Sequence, residues 1–280
     1  MRKKVENTLT ITLIILILPC VLSFLLNDQM EKIYRSIQDE AAYISVKTNQ
    51  GIQEMNMEEY IIGVTATQIP LSYELEAIKA QMVIARTNLF YEMEQGQAWE
   101  GDYLTLAELE SKGVANKFLQ AQKETKGEYL TYQGKRMMAS FHALSAGKTR
   151  DGKEAFMSDG YEYLQSRNCP ADEKAPDYQS VVQIAENWRG LEIVQRDSAG
   201  YVQQLNFKET YFSGEEFRRL FGLPSSNFTI QENEEGIFLT VLGIGHGLGL
   251  SQYTAQQLAL SGKGYREILQ YFFEGVEIVR

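Results

Sequence analysis

An α+β architecture follows from three features of the 280-residue chain. Several stretches alternate apolar and polar residues and come in pairs joined at glycine-containing turns, as hairpins do. Other stretches space apolar residues three and four apart beside capping residues, as buried helices do. The two kinds interleave without the regular strand–helix–strand rhythm of a parallel sheet. With 44% hydrophobic and 23% charged residues, the chain can bury a core.

The N-terminus reads MRKKVENTLTITLIILILPCVLSFLLNDQ, with no charged residue from Thr8 to Leu26. That run is long enough to cross a bilayer as a helix. Arg2, Lys3 and Lys4 hold the N-terminus in the cytoplasm and send the rest outward. A cleaved signal peptide fits less well, because no small-x-small cleavage site follows the run. A lipoprotein built on Cys20 is disfavoured by Pro19 and by the apolar residues beyond it. The expected organisation is a cytoplasmic tail over 1–7, a transmembrane anchor over 8–26, a polar spacer over 27–50 and an extracytoplasmic domain over 51–280.

Within that domain, EEYIIGV (58–64) reads as an apolar, strand-like run that ends in a turn from Gln68 to Pro70. A helix then starts at Ser72 as N-cap, with Glu74 in its first turn. Leu75, Ile78, Met82, Ala85 and Leu89 form one buried face, and Gly96 stops it. LTLAELESKG (104–113) gives a second helix. GEYLTYQGKRMMASFHALSAGKT (127–149) gives two strands joined at Gln133 and Gly134, then a Ser/Gly loop. A hairpin over 191–209 follows, then a short helix with a Ser213–Glu216 capping box, stopped by Gly222 and Pro224. Another hairpin covers 228–243. It runs into a glycine-rich turn, two helices separated by Gly262–Gly264, and a terminal strand.

The net charge of -10 excludes nucleic acid as a partner, since phosphate binding needs concentrated Lys and Arg. An acidic ectodomain is likewise not held to anionic lipid. Of two cysteines, Cys20 falls in the anchor and Cys169 far from it, so no disulfide is expected.

The chain has two histidines. His142 lies at a strand end and is as readily a satisfied core residue as a functional one. His246 is flanked by Gly243, Gly245, Gly247 and Gly249, a cost in chain entropy that suits a loop lining a ligand, with Ser251 at the next helix start. The glycine spacing is neither a Rossmann nor a P-loop pattern. His142, His246 and Cys169 do not have the spacing of a zinc module, so no metal or other cofactor is expected. Cys169 sits in a Pro-containing loop without a cue for a lowered thiol pKa, and no G-x-S-x-G elbow occurs. Lys79, Arg86 and Glu76 fall opposite the apolar stripe and read as a solvated face.

Five segments together resemble the stage II sporulation protein D family, whose wider group includes amidase-enhancer proteins. They are YIIGVTATQIPLSYELEAIKAQMVIART, ASFHALSAGKT, YLQSRNCPAD, FSGEEFRRLFGLPSS and GIGHGLGLSQYTAQQLALSGKGYREILQYFFEGVEI. The resemblance spans residues 50–280 and includes the single N-terminal anchor. It implies an extracytoplasmic protein that acts on peptidoglycan during forespore engulfment. Family members are lytic transglycosylases of glycan strands stripped of stem peptides, and they work with a partner amidase/endopeptidase and a membrane protein. One carboxylic acid protonates the glycosidic oxygen while the sugar's own hydroxyl closes on the anomeric carbon.

The family motif places that acid, a glutamate, just before an apolar residue and a proline. Here ATQIP puts Gln68 in its position. A carboxamide has no proton to release near neutral pH, so loss of cleavage is implied. Lys79, Gln81, Arg86, His142, Ser145, Gly147, Thr149, His246, Gly247, Ser251 and Gln252 match the pattern and are expected to line a glycan-binding groove. Three functions remain open. The first is a glycan-binding pseudoenzyme. The second is an active transglycosylase using another carboxylate, such as Glu74 or Glu76. The third is a scaffold of the engulfment complex.

Overall fold

The computed structural model describes residues 43–48, 51–95 and 99–280. The expected cytoplasmic tail, the membrane anchor and most of the spacer lie outside those residues. Among the described residues no helix is long and apolar enough to cross a membrane. Of the described residues, 43–44 and 54–57 fall in one compact unit, and those from 45–53 and 58–280 in the other. Every side chain that bears on the site belongs to the second.

Helices and strands are mixed, as expected of an α+β chain. In order come β1 (Tyr43–Thr48), β2 (Gly51–Asn56), α1 (Met57–Gln68), α2 (Leu75–Glu94), β3 (Trp99–Glu100), α3 (Leu106–Ser111) and α4 (Ala115–Thr125). Next are β4 (Tyr129–Tyr132), β5 (Lys135–Arg136), β6 (Phe141–His142) and the short α5 (Gly152–Phe156). Then follow β7 (Gln179–Ile184), β8 (Glu192–Arg196), β9 (Val202–Phe207), β10 (Thr210–Ser213) and α6 (Gly214–Phe221). β11 (Phe228–Asn233), β12 (Gly236–Leu242), β13 (Leu250–Ser251), α7 (Gln252–Leu260), α8 (Tyr265–Phe272) and β14 (Val276–Val279) complete the chain.

Three expectations about the first helices need correction. Residues 58–64 are not extended but form most of α1. Every residue from Tyr60 to Ala66 is buried, so this helix has no polar face there to reveal its period. Next, α2 takes Glu74, not Ser72, as its N-cap residue. A turn in which Tyr73 N–H donates to the Pro70 carbonyl at 3.0 Å delays its start, and the Glu74 N–H is met by Gln256 Oε1 at 2.7 Å. Finally, Lys79 and Arg86 are not on a solvated face. All of 77–90 is buried, because α2 packs against α4, α7, α8 and β4 at once.

Burying those charges requires partners. Lys79 pairs with Glu76 and with Glu124, the latter at 2.7 Å. Arg86 is fully buried and forks onto Glu58 with two 2.8 Å bonds. Its remaining arm donates to the carbonyls of Thr125 and Glu128, each at 2.9 Å. Burial pushes the Glu58 carboxyl up, but the hydrogen bonds and charge of Arg86 outweigh it and hold it below the usual carboxylate range. The same core takes Ala80, Val83 and Ile84 of α2 against Leu130, Leu250, Ala255, Ile268 and Phe272.

The Gln133–Gly134 turn joins β4 to β5 with φ of 51° and 70°, the left-handed pair that a tight hairpin asks for. α3 carries a Thr105–Glu108 capping box and α6 the expected Ser213–Glu216 box. Gly222 caps α6 at φ 60°. Between β6 and β13 the chain builds an inserted module of two antiparallel sheets, β11–β12–β7 and β10–β9–β8. The module has its own core of Val202, Leu205, Phe217, Phe228, Ile237, Leu239 and Val241, with Trp188 stacked against Phe207 at 4.5 Å. On its return the chain pairs β13 parallel to β6, setting Ser251 opposite His142.

Candidate functional site

Pro70 ends α1, and Gln68 sits half-buried on its last turn. Gln81 of α2 and Gln252 of α7 meet it, both buried. Gln252 Nε2 donates to the main-chain carbonyl of Gln68 at 2.7 Å and to Gln81 Oε1 at 3.1 Å. Gln81 Nε2 donates in turn to Gln68 Oε1 at 3.0 Å. The main-chain carbonyl sets the polarity of this chain of amides. It demands an N–H from Gln252, which obliges Gln81 to accept on one side and donate on the other. The end of the chain is the Gln68 NH2 group. Among the described residues no carboxylate hydrogen-bonds to Gln68.

Next to Gln252, Ser251 caps α7 and accepts from Thr254 N–H at 3.4 Å. Its hydroxyl donates to Asp172 Oδ2 at 2.7 Å. The same oxygen accepts from Ser145 N–H at 2.8 Å and from Ser145 Oγ at 2.6 Å. Thr254 Oγ1 donates to Asp172 Oδ1 at 2.7 Å. Asp172 is fully buried, and its four donors tie the Ser145 loop to the start of α7. A single aspartate in a Pro-containing loop has no pattern of its own; its one signal in the sequence is its place in YLQSRNCPAD.

His142 and His246 face each other with ring centroids 5.8 Å apart. The main chain of one residue, Leu248, orients both. The Leu248 carbonyl accepts from His142 Nδ1–H at 3.0 Å, and the Leu248 N–H donates to His246 Nδ1 at 3.1 Å. The two neutral rings therefore hold opposite tautomers. Burial, then the neighbouring His246, push the His142 pKa down to about 3. Burial also lowers His246, with Glu215 opposing and Arg218 and Arg150 adding to the fall. Gly245, at φ 113°, leaves room for this pair: a Cβ there would lie 2.6 Å from His142 Cβ.

Gln68, Gln81, Gln252, Ser251, His142 and His246 are thus linked by direct bonds, chain adjacency, strand pairing or ring contact, and Ser145 joins them through Asp172. Lys79, Arg86 and Thr149 stand apart from that set. Lys79 engages Glu76, Glu124 and the Tyr265 ring, and Arg86 engages Glu58. Thr149 accepts from Arg167 N–H at 2.8 Å and so fixes the loop to the 165–168 segment. Cys169 is buried, and burial followed by Asp172 pushes its thiol up to about 12, a value that keeps it inert at neutral pH. Among the described residues no group of three or more His, Cys, Asp or Glu side chains is set to hold a metal ion. The linked set is a largely buried hydrogen-bonded cluster, of which Gln68 and His246 are the half-buried members.

The sequence pattern of the family described as Stage II sporulation protein matches residues 45–132, a segment that holds Gln68, Lys79, Gln81 and Arg86. The chain is similar to Stage II sporulation protein D of Bacillus amyloliquefaciens, with 29% identity over 265 residues, covering 82% of this chain and 76% of that protein. Stage II sporulation protein D of Bacillus subtilis (strain 168) is 29% identical over 262 residues, with the same coverage of 82% and 76%. The Amidase enhancer of Bacillus subtilis (strain 168) is 21% identical over 284 residues, covering 77% of this chain and 40% of that protein.

Proposed function

Since the chain belongs to the stage II sporulation protein D family, we propose that it is a membrane-anchored, extracytoplasmic cell-wall protein that holds denuded peptidoglycan glycan strands during engulfment and cleaves them weakly or not at all. The observation that carries this reading is the polarity of the amide chain at Gln68. A glutamate there would accept the Gln81 N–H on one oxygen and keep the other for proton transfer. The carboxamide keeps the first contact and offers an NH2 donor in place of the second oxygen. Binding groups are preserved while the ionisable proton is gone. Partners under this reading are the glycan strand, an amidase or endopeptidase, and a membrane protein of the engulfment machinery.

Product analysis on peptide-free glycan strands tests it. The protein is expected to bind the strands and to release no anhydro-sugar product above background. Gln68→Glu is expected to raise product formation by about 10²–10⁴-fold, the usual worth of a positioned general acid. Product from the unsubstituted protein at the rate of its Gln68→Glu variant would sink the reading.

A second reading, an active enzyme that uses another carboxylate, gains support from one residue. Glu76 is engaged by Lys79 and by the Tyr265 N–H, but the exposed Glu173 lies against Gly147, where a Cβ would come within 2.4 Å of its Oε1. If cleavage is found and Glu173→Gln abolishes it, this reading replaces the first.

A further inference from the structure

Two loops, 143–149 and 243–249, bring Ser145 and His246 to the proposed site, and both are touched by one buried side chain of the inserted module. Tyr201 Oη accepts the Ala146 N–H of the first loop at 3.0 Å. The hydroxyl end of its ring lies against the second loop at Gly247, whose φ is 77° and where a Cβ would come within 2.5 Å of Tyr201 Cζ. At their other end the loops are joined directly, by reciprocal main-chain bonds between Leu144 and Ile244 of 3.0 and 2.7 Å.

Tyr201 is itself held from two sides. The Arg150 guanidinium sits 5.1 Å from its ring centroid and donates through Nε to Asp197 Oδ2 at 2.6 Å. Asp197 Oδ1 accepts the N–H groups of Ala199 and Tyr201 at 3.1 and 2.9 Å, so one carboxylate closes the β8–β9 turn and fixes Arg150. Arg150 then reaches the His246 loop two ways and α6 a third way. Its main-chain N–H donates to the Gly247 carbonyl at 2.8 Å, its Nη1 to the His246 carbonyl at 3.4 Å, and the same Nη1 to Glu215 Oε1 at 3.2 Å. Glu215 is braced by Ser226 Oγ at 2.6 Å.

A phenylalanine would fill the space of the Tyr201 ring. What the hydroxyl adds is the acceptor for Ala146, and through it a fixed separation between the Ser145 and His246 loops. We infer that Tyr201, seated by Arg150 and Asp197, is a positioning residue by which the inserted module locks the two loops of the site to each other. The inference concerns the geometry of those loops; its consequence for glycan rests on the function proposed above.

Hydrogen exchange on the full-length protein, read by mass spectrometry without ligand, tests the lock. Tyr201→Phe is expected to leave the melting temperature within a few degrees of the parent. Exchange should speed up about tenfold in peptides covering 143–150 and 243–250, because a partly buried N–H has lost its acceptor. Exchange at the His246 ring C–H, which reports the imidazole pKa, should move toward the ordinary 6.5. Affinity for denuded glycan should fall about tenfold, and Tyr211→Phe, an exposed site on β10, should change none of these.

Unchanged exchange in both peptides of a folded Tyr201→Phe protein overturns the inference. If that variant does not fold, the unsubstituted protein decides: both loop peptides must exchange as slowly as β9, and faster exchange in either one overturns it equally. Failure of the unsubstituted protein to bind glycan sinks the proposed function while leaving the exchange result standing.

Discussion

Asp172 and Gln68 show how differently a side-chain carbonyl oxygen can be used within one site. At Asp172 four donors converge on a fully buried carboxylate, and removing it would orphan them all. Asp172→Ala is expected to cost about 2–4 kcal/mol of stability in urea unfolding, with Asp172→Asn costing less than half as much because one oxygen remains. At Gln68 one oxygen is fixed and the amide nitrogen is left to meet whatever approaches, so its substitution should register in glycan chemistry and not in stability. His142 adds a pH dependence with a definite sign. The unfolded chain takes a proton below about 6.5 that the folded chain refuses until about 3. Stability is therefore whole above 6.5 and is lost as pH falls toward 3. His142→Gln should flatten that decline by about 2–3 kcal/mol near pH 4.5, seen as a smaller loss of denaturation midpoint between pH 7 and 4.5. An identical decline in the variant would remove His142 as its source.

Among the elements, α2 supports the site and also explains why its own pattern misleads. Its apolar positions do recur at helical spacing, yet the helix is enclosed on every side, so the polar positions between them are interior too. Arg86 is the extreme case, with Glu58 from α1 and two carbonyls closing around it. Arg86→Ala should destabilise the fold by about 3–5 kcal/mol, since it leaves a buried carboxylate without its counter-charge. Arg86→Lys should rescue little, because one ammonium cannot reproduce the fork. Thermal unfolding of the two variants separates this from a surface ion pair, whose loss would cost under about 1 kcal/mol. The Glu58 half of the pair contributes stability that is complete above 4.5 and is lost as pH falls through its lowered value. Helices whose ends carry caps were the legible ones, as Thr105–Glu108 and Ser213–Glu216 show. The helix α4, with Ala115, Phe118, Ala121 and Thr125 on its buried face, has a readable period but no side-chain cap to announce it, and is absent from the sequence expectation.

Across the whole molecule, the inserted module accounts for the order of the chain. Leaving after β6 and returning at β13, it brings His142 beside Ser251 across more than a hundred residues and carries Tyr201 back onto both loops. The α+β class, the three hairpins, the paired C-terminal helices and the oddity of an amide in ATQIP could all be read from residues in order, because each depends on neighbours a few positions apart. Burial of Lys79 and Arg86, the convergence on Asp172, the opposite tautomers of the histidines and the direction of the Gln68–Gln81–Gln252 chain could not. Each of these depends on which distant side chain completes a hydrogen bond or excludes water. Local spacing carries no information about that choice, which is fixed when the helices and the module close around one another.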